Sequence, residues 1–150
     1  MTLITLFSAP KPFTNPHIAM IQRNAIRSWT LLPDVEVILL GGRLYKYAQV
    51  TVGAETLEQV RQVRADLCLL GVCSLHPEVG ISLQDFEESR IQRAMADNSA
   101  EVAALASAEK IGTAAPFVVG GLDLLNYIVT SGDLSEEELA PYRQFHLEIL

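Results

Sequence analysis

Five short apolar runs constrain this chain more than any other feature. Leu3–Phe7, Val35–Leu40, Leu67–Val72, Val102–Ala106 and Tyr127–Thr130 each suit a strand and are too short for a buried helix. Helix-patterned segments separate them. After Pro10–Phe13 breaks the first run, Asn15 is placed to cap a helix with Pro16 at its first position. Ile18, Ile21, Ala25 and Trp29 then fall close to one face. Pro33 and Asp34 end that helix. Past Gly53, Leu57, Val60 and Val63 recur every three residues. Asp85 is placed to cap a helix through Asn98, with Phe86, Ile91, Ala94 and Met95 inward. Ser135 with Glu138 three residues on makes a capping box for the last helix. Strands alternating with helices predict an α/β fold: a largely parallel sheet holding all five runs, with helices on both faces.

Smaller features fill the gaps. Arg43–Val52 is rich in Tyr, Val and Thr and reads as extended. His76, Pro77 and Gly80 mark a turn after the third run. Phe117–Val119 reads as a further strand, Asp123–Asn126 as a helical turn, and His146–Leu150 as a final strand. The 150 residues fit a single domain.

Composition excludes some functions. The formal net charge is -7, and no basic stripe exists to displace counterions from nucleic-acid phosphates. Direct DNA binding is therefore not expected. A small anion remains possible, because backbone N–H groups and one Lys outweigh a global charge locally. Cys68 and Cys73 lie in or beside an apolar run with no Cys or His cluster near them, so buried free thiols in a reducing cytoplasm are expected. His17, His76 and His146 are too scattered for a metal site, and no cofactor is implied. The opening apolar stretch lacks the length and basic start of a signal sequence, and no run is long enough to span a membrane.

The stretch Leu39-Leu40-Gly41-Gly42-Arg43-Leu44, followed by Val52-Gly53, resembles the "LLGG-x-L … x-V-G" of DeoR-type transcription regulators. Arg64-Ala65-Asp66-Leu67 then Leu70-Gly71 resembles that family's "RAD-x-x-x-LG". Gly80-Ile81-Ser82 with Phe86-Glu87-Glu88 resembles "GLT … LEEA", and Arg93-Ala94-Met95 resembles "KRAM". Leu105–Gly112 resembles "LADSSKFG", and Val129-Thr130-Ser131-Gly132 resembles "ITDAG". The order and spacing of these pieces, from about Pro33 to the last residue, carry the resemblance. It implies an α/β sensor domain related in fold to ribose-phosphate isomerases. Such a domain binds a phosphorylated sugar or similar metabolite and tunes an attached helix-turn-helix repressor domain. No helix-turn-helix segment is found here, so a truncated regulator able to form a homo-oligomer is the expectation. Two departures bear on the site. The family's "DSGTT" phosphate loop is not present, and the Asp positions of "GADG" and "LADSSK" hold Cys73 and Ser107.

The first forty residues are also similar to the opening of a nucleotide-sugar glycosyltransferase family. Ile4–Phe7, Pro10–Phe13 and Gln22–Trp29 carry that likeness, as does the run Pro33–Gly41, which the two families share. It implies a junction near that run. The alternative is a divergent regulator N-terminus, since Thr14–Ala19 also resembles the regulator's "TNSP-x-IA".

Ligands of open α/β sheets collect at the carboxyl ends of strands. Lys110 follows a predicted strand and precedes Gly112-Thr113, where an ammonium and N–H groups meet a phosphate; the alternative is a solvated loop Lys. Gly71, Cys73 and Ser74 end a central strand. Cys73 with His76 as base would be a nucleophile, but a packed thiol explains it too. Glu87 and Glu88 suit a positive helix end, and the resemblance turns Glu88 towards ligand hydroxyls. Gly41-Gly42 suits either close ligand approach or a tight turn. The expected ligand-binding set is Gly71, Cys73, Ser74, Ser82, Glu88 and Lys110, with no catalytic residue. A metal-dependent glycosyltransferase would need an Asp-x-Asp pair, and none occurs. An isomerase-like enzyme or an inactive remnant are the competing readings.

Overall fold

The computed structural model describes residues 4–8, 20, 24, 27–29, 31–33, 35–45, 50–131 and 134–150. The chain divides into two compact units, Met1–Gln59 and Val60–Leu150.

In the first unit, β1 (Ile4–Ser8) pairs in parallel with β2 (Val35–Leu39), from Ile4 opposite Val35 to Ser8 opposite Leu39. Met20, Asn24 and residues 27–29 between them are helical. Asn15, Pro16, Ile18, Ile21 and Ala25, assigned to that helix from sequence, lie outside the described residues. The extended stretch resolves into an antiparallel pair, β3 (Arg43–Tyr45) and β4 (Val50–Val52). Helix α1 (Ala54–Arg61) follows, buries Leu57 and runs on into the first residues of the second unit, where Val60 is buried. It also grips the glycine turn. Thr56 Oγ1 donates to Gly41 O at 2.7 Å, and Gly41 N–H donates to Gln59 Oε1 at 3.0 Å. Gly42 has φ +139°, and a Cβ there would collide with Thr56 Oγ1. That turn packs too tightly for any other residue.

The second unit holds a four-stranded parallel sheet, ordered β11–β10–β8–β5. Its strands are β5 (Ala65–Gly71), β8 (Ser99–Ala106), β10 (Tyr127–Thr130) and β11 (Glu148–Ile149). All five apolar runs are strands, but among the described residues they divide between two sheets, not the expected one. Periodicity marks a strand without naming its neighbour, because pairing is decided by tertiary packing. Coverage differs along the sheet. In β8, flanked on both sides, adjacent Ala103 and Ala104 are both buried. In β5, at the end of the order, Cys68 and Leu70 are buried while Leu67 and Leu69 are 48% and 58% exposed. The expectation of strands covered on both faces thus fits β8 and not β5.

Two strands escaped the sequence reading. β6 (Ser74–His76) and β7 (Gly80–Leu83) form a hairpin, and β9 (Phe117–Gly120) joins β7 to complete a small antiparallel sheet. Its turn is held by His76 Nδ1, which accepts the N–H groups of Glu78 at 3.1 Å and Val79 at 3.3 Å.

Helix α2 (Phe86–Asp97) begins at Asp85, whose Oδ1 accepts Glu88 N–H at 2.9 Å. Ile91 and Ala94 face inward and Met95 packs at the core margin. Phe86 does not face inward as expected; it is 55% exposed. As the first helical residue it meets Phe117 edge to face at 5.8 Å, with the Arg90 guanidinium 5.8 Å from its ring centroid. Partners on the surface outweigh the helical period there. The helical turn expected over Asp123–Asn126 falls at Leu122–Leu124. The capping box at Ser135 opens α3 (Glu136–Leu139), and a turn over Ala140–Tyr142 leads to β11. The core of this unit joins Leu70, Val102, Ala104 and Ile128 of the sheet to Leu75, Ile81 and Leu83 of the hairpin and to Tyr142.

Candidate functional site

Parallel pairing brings the carboxyl ends of three strands to one edge. Gly71 of β5 lies opposite Leu105 of β8, and Val72 N–H extends the ladder to Leu105 O at 3.4 Å. Ala106 lies opposite Thr130, the last residue of β10. Cys73, Ser107 and Ser131 therefore leave the sheet on the same side, where ligands of such sheets are held.

Lys110 stands on this edge. Ser107 opens a single 3-10 turn, Ala108–Lys110, in which Lys110 N–H donates to Ser107 O at 2.9 Å. Thr113 Oγ1 donates to Lys110 O at 2.8 Å and closes the loop. Gly112 takes φ +74°, a left-handed conformation that glycine adopts freely. Its N–H donates to Leu75 O at 2.8 Å and to the Tyr142 hydroxyl at 2.9 Å. Lys110 is half-buried and forms no ion pair among the described residues. Neighbouring Glu109 is engaged otherwise. The Ser107 hydroxyl donates to it, and this bond, with its own N–H and the weaker pull of Lys110, lowers its carboxyl from the ordinary value.

The other candidates are placed unequally. Of the two thiols expected to be buried, only Cys68 is; Cys73 is exposed two residues past the end of β5, and His76 Nδ1 is taken up by its own turn. Gly71 O accepts Gln92 Nε2 at 3.1 Å. Ser74 and Ser82 face each other across the β6–β7 hairpin, both buried, and Ser82 Oγ accepts Ala115 N–H at 2.8 Å. The fold thus brings Gly71, Cys73 and Lys110 to one edge, with Ser74 joined to the Lys110 loop through its neighbour Leu75. Ser82 pairs with Ser74 in the hairpin, and Glu88 is carried separately on the first turn of α2.

Polar groups that the sequence did not point to share this edge. Thr130 Oγ1 and Gln92 Oε1 are buried without a hydrogen-bond partner among the described residues. Nothing in the local sequence marks them, because their setting depends on which strands end side by side. A shallow groove lined by Asn126, Tyr127, Phe145, His146, Leu147 and Glu148 lies at the opposite, amino end of β10. No group of three His, Cys, Asp or Glu among the described residues is arranged to hold a metal ion. No helix among them is long and apolar enough to cross a membrane.

Residues 21–132 match the DeoR C terminal sensor domain. The chain belongs to the DeoR family. The α/β architecture with its parallel sheet agrees with that sensor fold. The match reaches upstream of Pro33, so part of the segment likened to a glycosyltransferase is regulator-like too. Among similar proteins, the HTH-type transcriptional repressor GlcR of Bacillus subtilis is 28% identical over 110 residues, covering 71% of this chain and 42% of the relative. The glycerol-3-phosphate regulon repressor of Escherichia coli is 23% identical over 136 residues, covering 91% of this chain and 54% of the relative. The HTH-type transcriptional regulator GlpR of Haloferax volcanii is 28% identical over 109 residues, covering 71% and 43%. This DeoR-family chain spans about half the length of these relatives.

Proposed function

We propose that this chain is the effector-sensing module of a DeoR-type repressor and binds a phosphorylated sugar or related small anion at the carboxyl edge of its parallel sheet. The observation that carries the reading is Lys110. It is a cation with no ion pair among the described residues, on a turn at the edge where α/β sheets hold ligands. One relative is a glycerol-3-phosphate regulon repressor, which favours a phosphate ester as the class of effector. Cys73, Ser74 and nearby N–H groups complete the contact region. Gly71 and Ser82 shape it, and Glu88 approaches the ligand's hydroxyls. The module binds without turnover, works in the cytoplasm and, with a net charge of -7, grips no DNA itself.

Binding is expected to be weak. A phosphate needs several donors and a fixed cation, and at this edge Lys110 is the cation while the Gly112 N–H is already taken by Leu75 O and the Tyr142 hydroxyl. Each missing charge-assisted hydrogen bond removes roughly 1.5–3 kcal/mol, or one to two orders of magnitude in affinity. Calorimetry with glycerol 3-phosphate and a panel of sugar phosphates should find no tight binder, and Lys110→Ala should abolish the signal. A micromolar ligand indifferent to Lys110→Ala would place the site elsewhere.

A further inference from the structure

The Lys110 loop does not hold its shape alone. Tyr142 lies 30 residues beyond Gly112 and 67 beyond Leu75, yet its hydroxyl accepts Gly112 N–H at 2.9 Å and donates to Leu75 O at 2.7 Å. Gly112 N–H also reaches Leu75 O at 2.8 Å, and Leu75 bridges Ile111 in parallel. Three groups, the Gly112 N–H, the Leu75 carbonyl and the Tyr142 hydroxyl, therefore meet at one point of the loop. Tyr142 is 1% exposed, and a phenol in a core needs a partner for its hydroxyl. Here the partners come from the hairpin and from the residues just past Lys110. Burial holds the phenol above its ordinary range, against the opposing Gly112 bond, so the donor stays protonated. The ring is carried by the turn after α3, which its own capping box and the Arg143–Glu136 pair at 2.8 Å secure.

We propose that Tyr142 is a positioning residue for effector binding: its hydroxyl fixes the exit of the Lys110 loop and so sets where the ammonium stands. This rests on the Lys110 site proposed above. Losing the phenol leaves the Gly112–Leu75 bond in place, so the loop is loosened, not released.

The test titrates inorganic phosphate into the full ¹⁵N-labelled chain and follows the amides of residues 110–113. In the wild type these amides shift on titration, and in Lys110→Ala they do not. Tyr142→Phe should weaken the response about tenfold, the worth of two neutral hydrogen bonds. Leu57→Ala, a destabilising change in the other unit, should leave the affinity unaltered. If Lys110→Ala abolishes the response while Tyr142→Phe binds like the wild type, the role of Tyr142 is refuted and the site stands. If Leu57→Ala weakens binding as much as Tyr142→Phe does, the effect is general destabilisation and the role is again refuted. If the wild-type amides do not move, or still move in Lys110→Ala, both proposals fall. Should Tyr142→Phe not fold, 3-fluorotyrosine in the otherwise wild-type chain replaces it. The ¹⁹F signal of Tyr142 should then move with the same midpoint as the Gly112 amide, and a stationary signal overturns the inference.

Discussion

The two ends of the four-stranded sheet use their polar groups in opposite ways. At the amino end, Asn126 ties three strands. Its Oδ1 accepts Val102 N–H at 2.8 Å, its N–H donates to Val102 O at 2.9 Å, and its carbonyl accepts Glu148 N–H at 2.8 Å. Asn98 works similarly: its carbonyl accepts Ala65 N–H at 3.1 Å and its Nδ2 donates to Ala94 O at 2.8 Å. At the carboxyl end, Thr130 Oγ1 and Gln92 Oε1 have no partner among the described residues, Lys110 has no ion pair among them, and Cys73 is exposed. Buried polar groups are ordinarily satisfied, and exceptions call for a reason. One end commits these donors and acceptors to the fold, and the other leaves several without a partner among the described residues.

The contrast is tested most strongly at Asn126. Asn126→Ala leaves the Val102 N–H without its side-chain acceptor, and a buried donor left unmet costs about 1–3 kcal/mol. Chemical denaturation should show a loss of that size with an unchanged m-value. A loss below about 0.5 kcal/mol would mean the amino end is not held as described.

The two thiols sharpen the comparison. Burial in the body of β5 pushes the Cys68 thiol up to about 11 from 9.0, against a hydrogen bond with Ser99 that lowers it; Cys73 is exposed at the carboxyl end. Below pH 9.0 the Cys68 thiol is neutral in both folded and unfolded chains. Between 9.0 and about 11 the unfolded chain loses that proton first, so the stabilisation from a neutral Cys68 falls as pH rises and is gone above the folded value. The stability gap between the wild type and Cys68→Ala should therefore narrow across this window. At pH 8, iodoacetamide should label Cys73 in the native chain and Cys68 only on unfolding. Equal labelling of both would contradict the burial on which the argument depends.

Much of this was legible in the sequence, unevenly and for physical reasons. Runs such as Leu67–Val72 and Tyr127–Thr130 announce themselves because a strand inside a parallel sheet is apolar along its length. Asp85 and Ser135 were readable as caps because capping is local, settled within three residues. The β6–β7 hairpin was not, since strands of three and four residues carry too little alternation to separate from a turn. His76 looked like a scattered histidine because its role, accepting two turn N–H groups, leaves no pattern. Lys110 was found through a motif, whereas Tyr142 and Thr130 acquire their surroundings only when distant segments meet.

A smaller effect is expected at Thr130. Thr130→Val keeps the branched shape and removes a buried hydroxyl that has no partner among the described residues. Relief of an unmet polar group should raise stability by up to about 1 kcal/mol. A clear destabilisation would show that the hydroxyl is bonded in solution and that this end is less open than it looks.

The smallest effect is expected at Lys110. Its ammonium forms no ion pair among the described residues, and its half-buried chain lies on a turn held by backbone bonds and by the Thr113 hydroxyl, none of which needs the side chain. Lys110→Ala should therefore leave stability within about 0.5 kcal/mol of the wild type, while Asn126→Ala at the other end does not. Urea unfolding of both variants in the same buffer, without phosphate, makes the comparison direct. Phosphate should then raise the wild-type midpoint slightly through binding to the folded chain alone, and leave Lys110→Ala unmoved. A loss above about 1 kcal/mol for Lys110→Ala in plain buffer would show that the fold itself consumes the ammonium. The division of labour between the two ends of the sheet would then collapse.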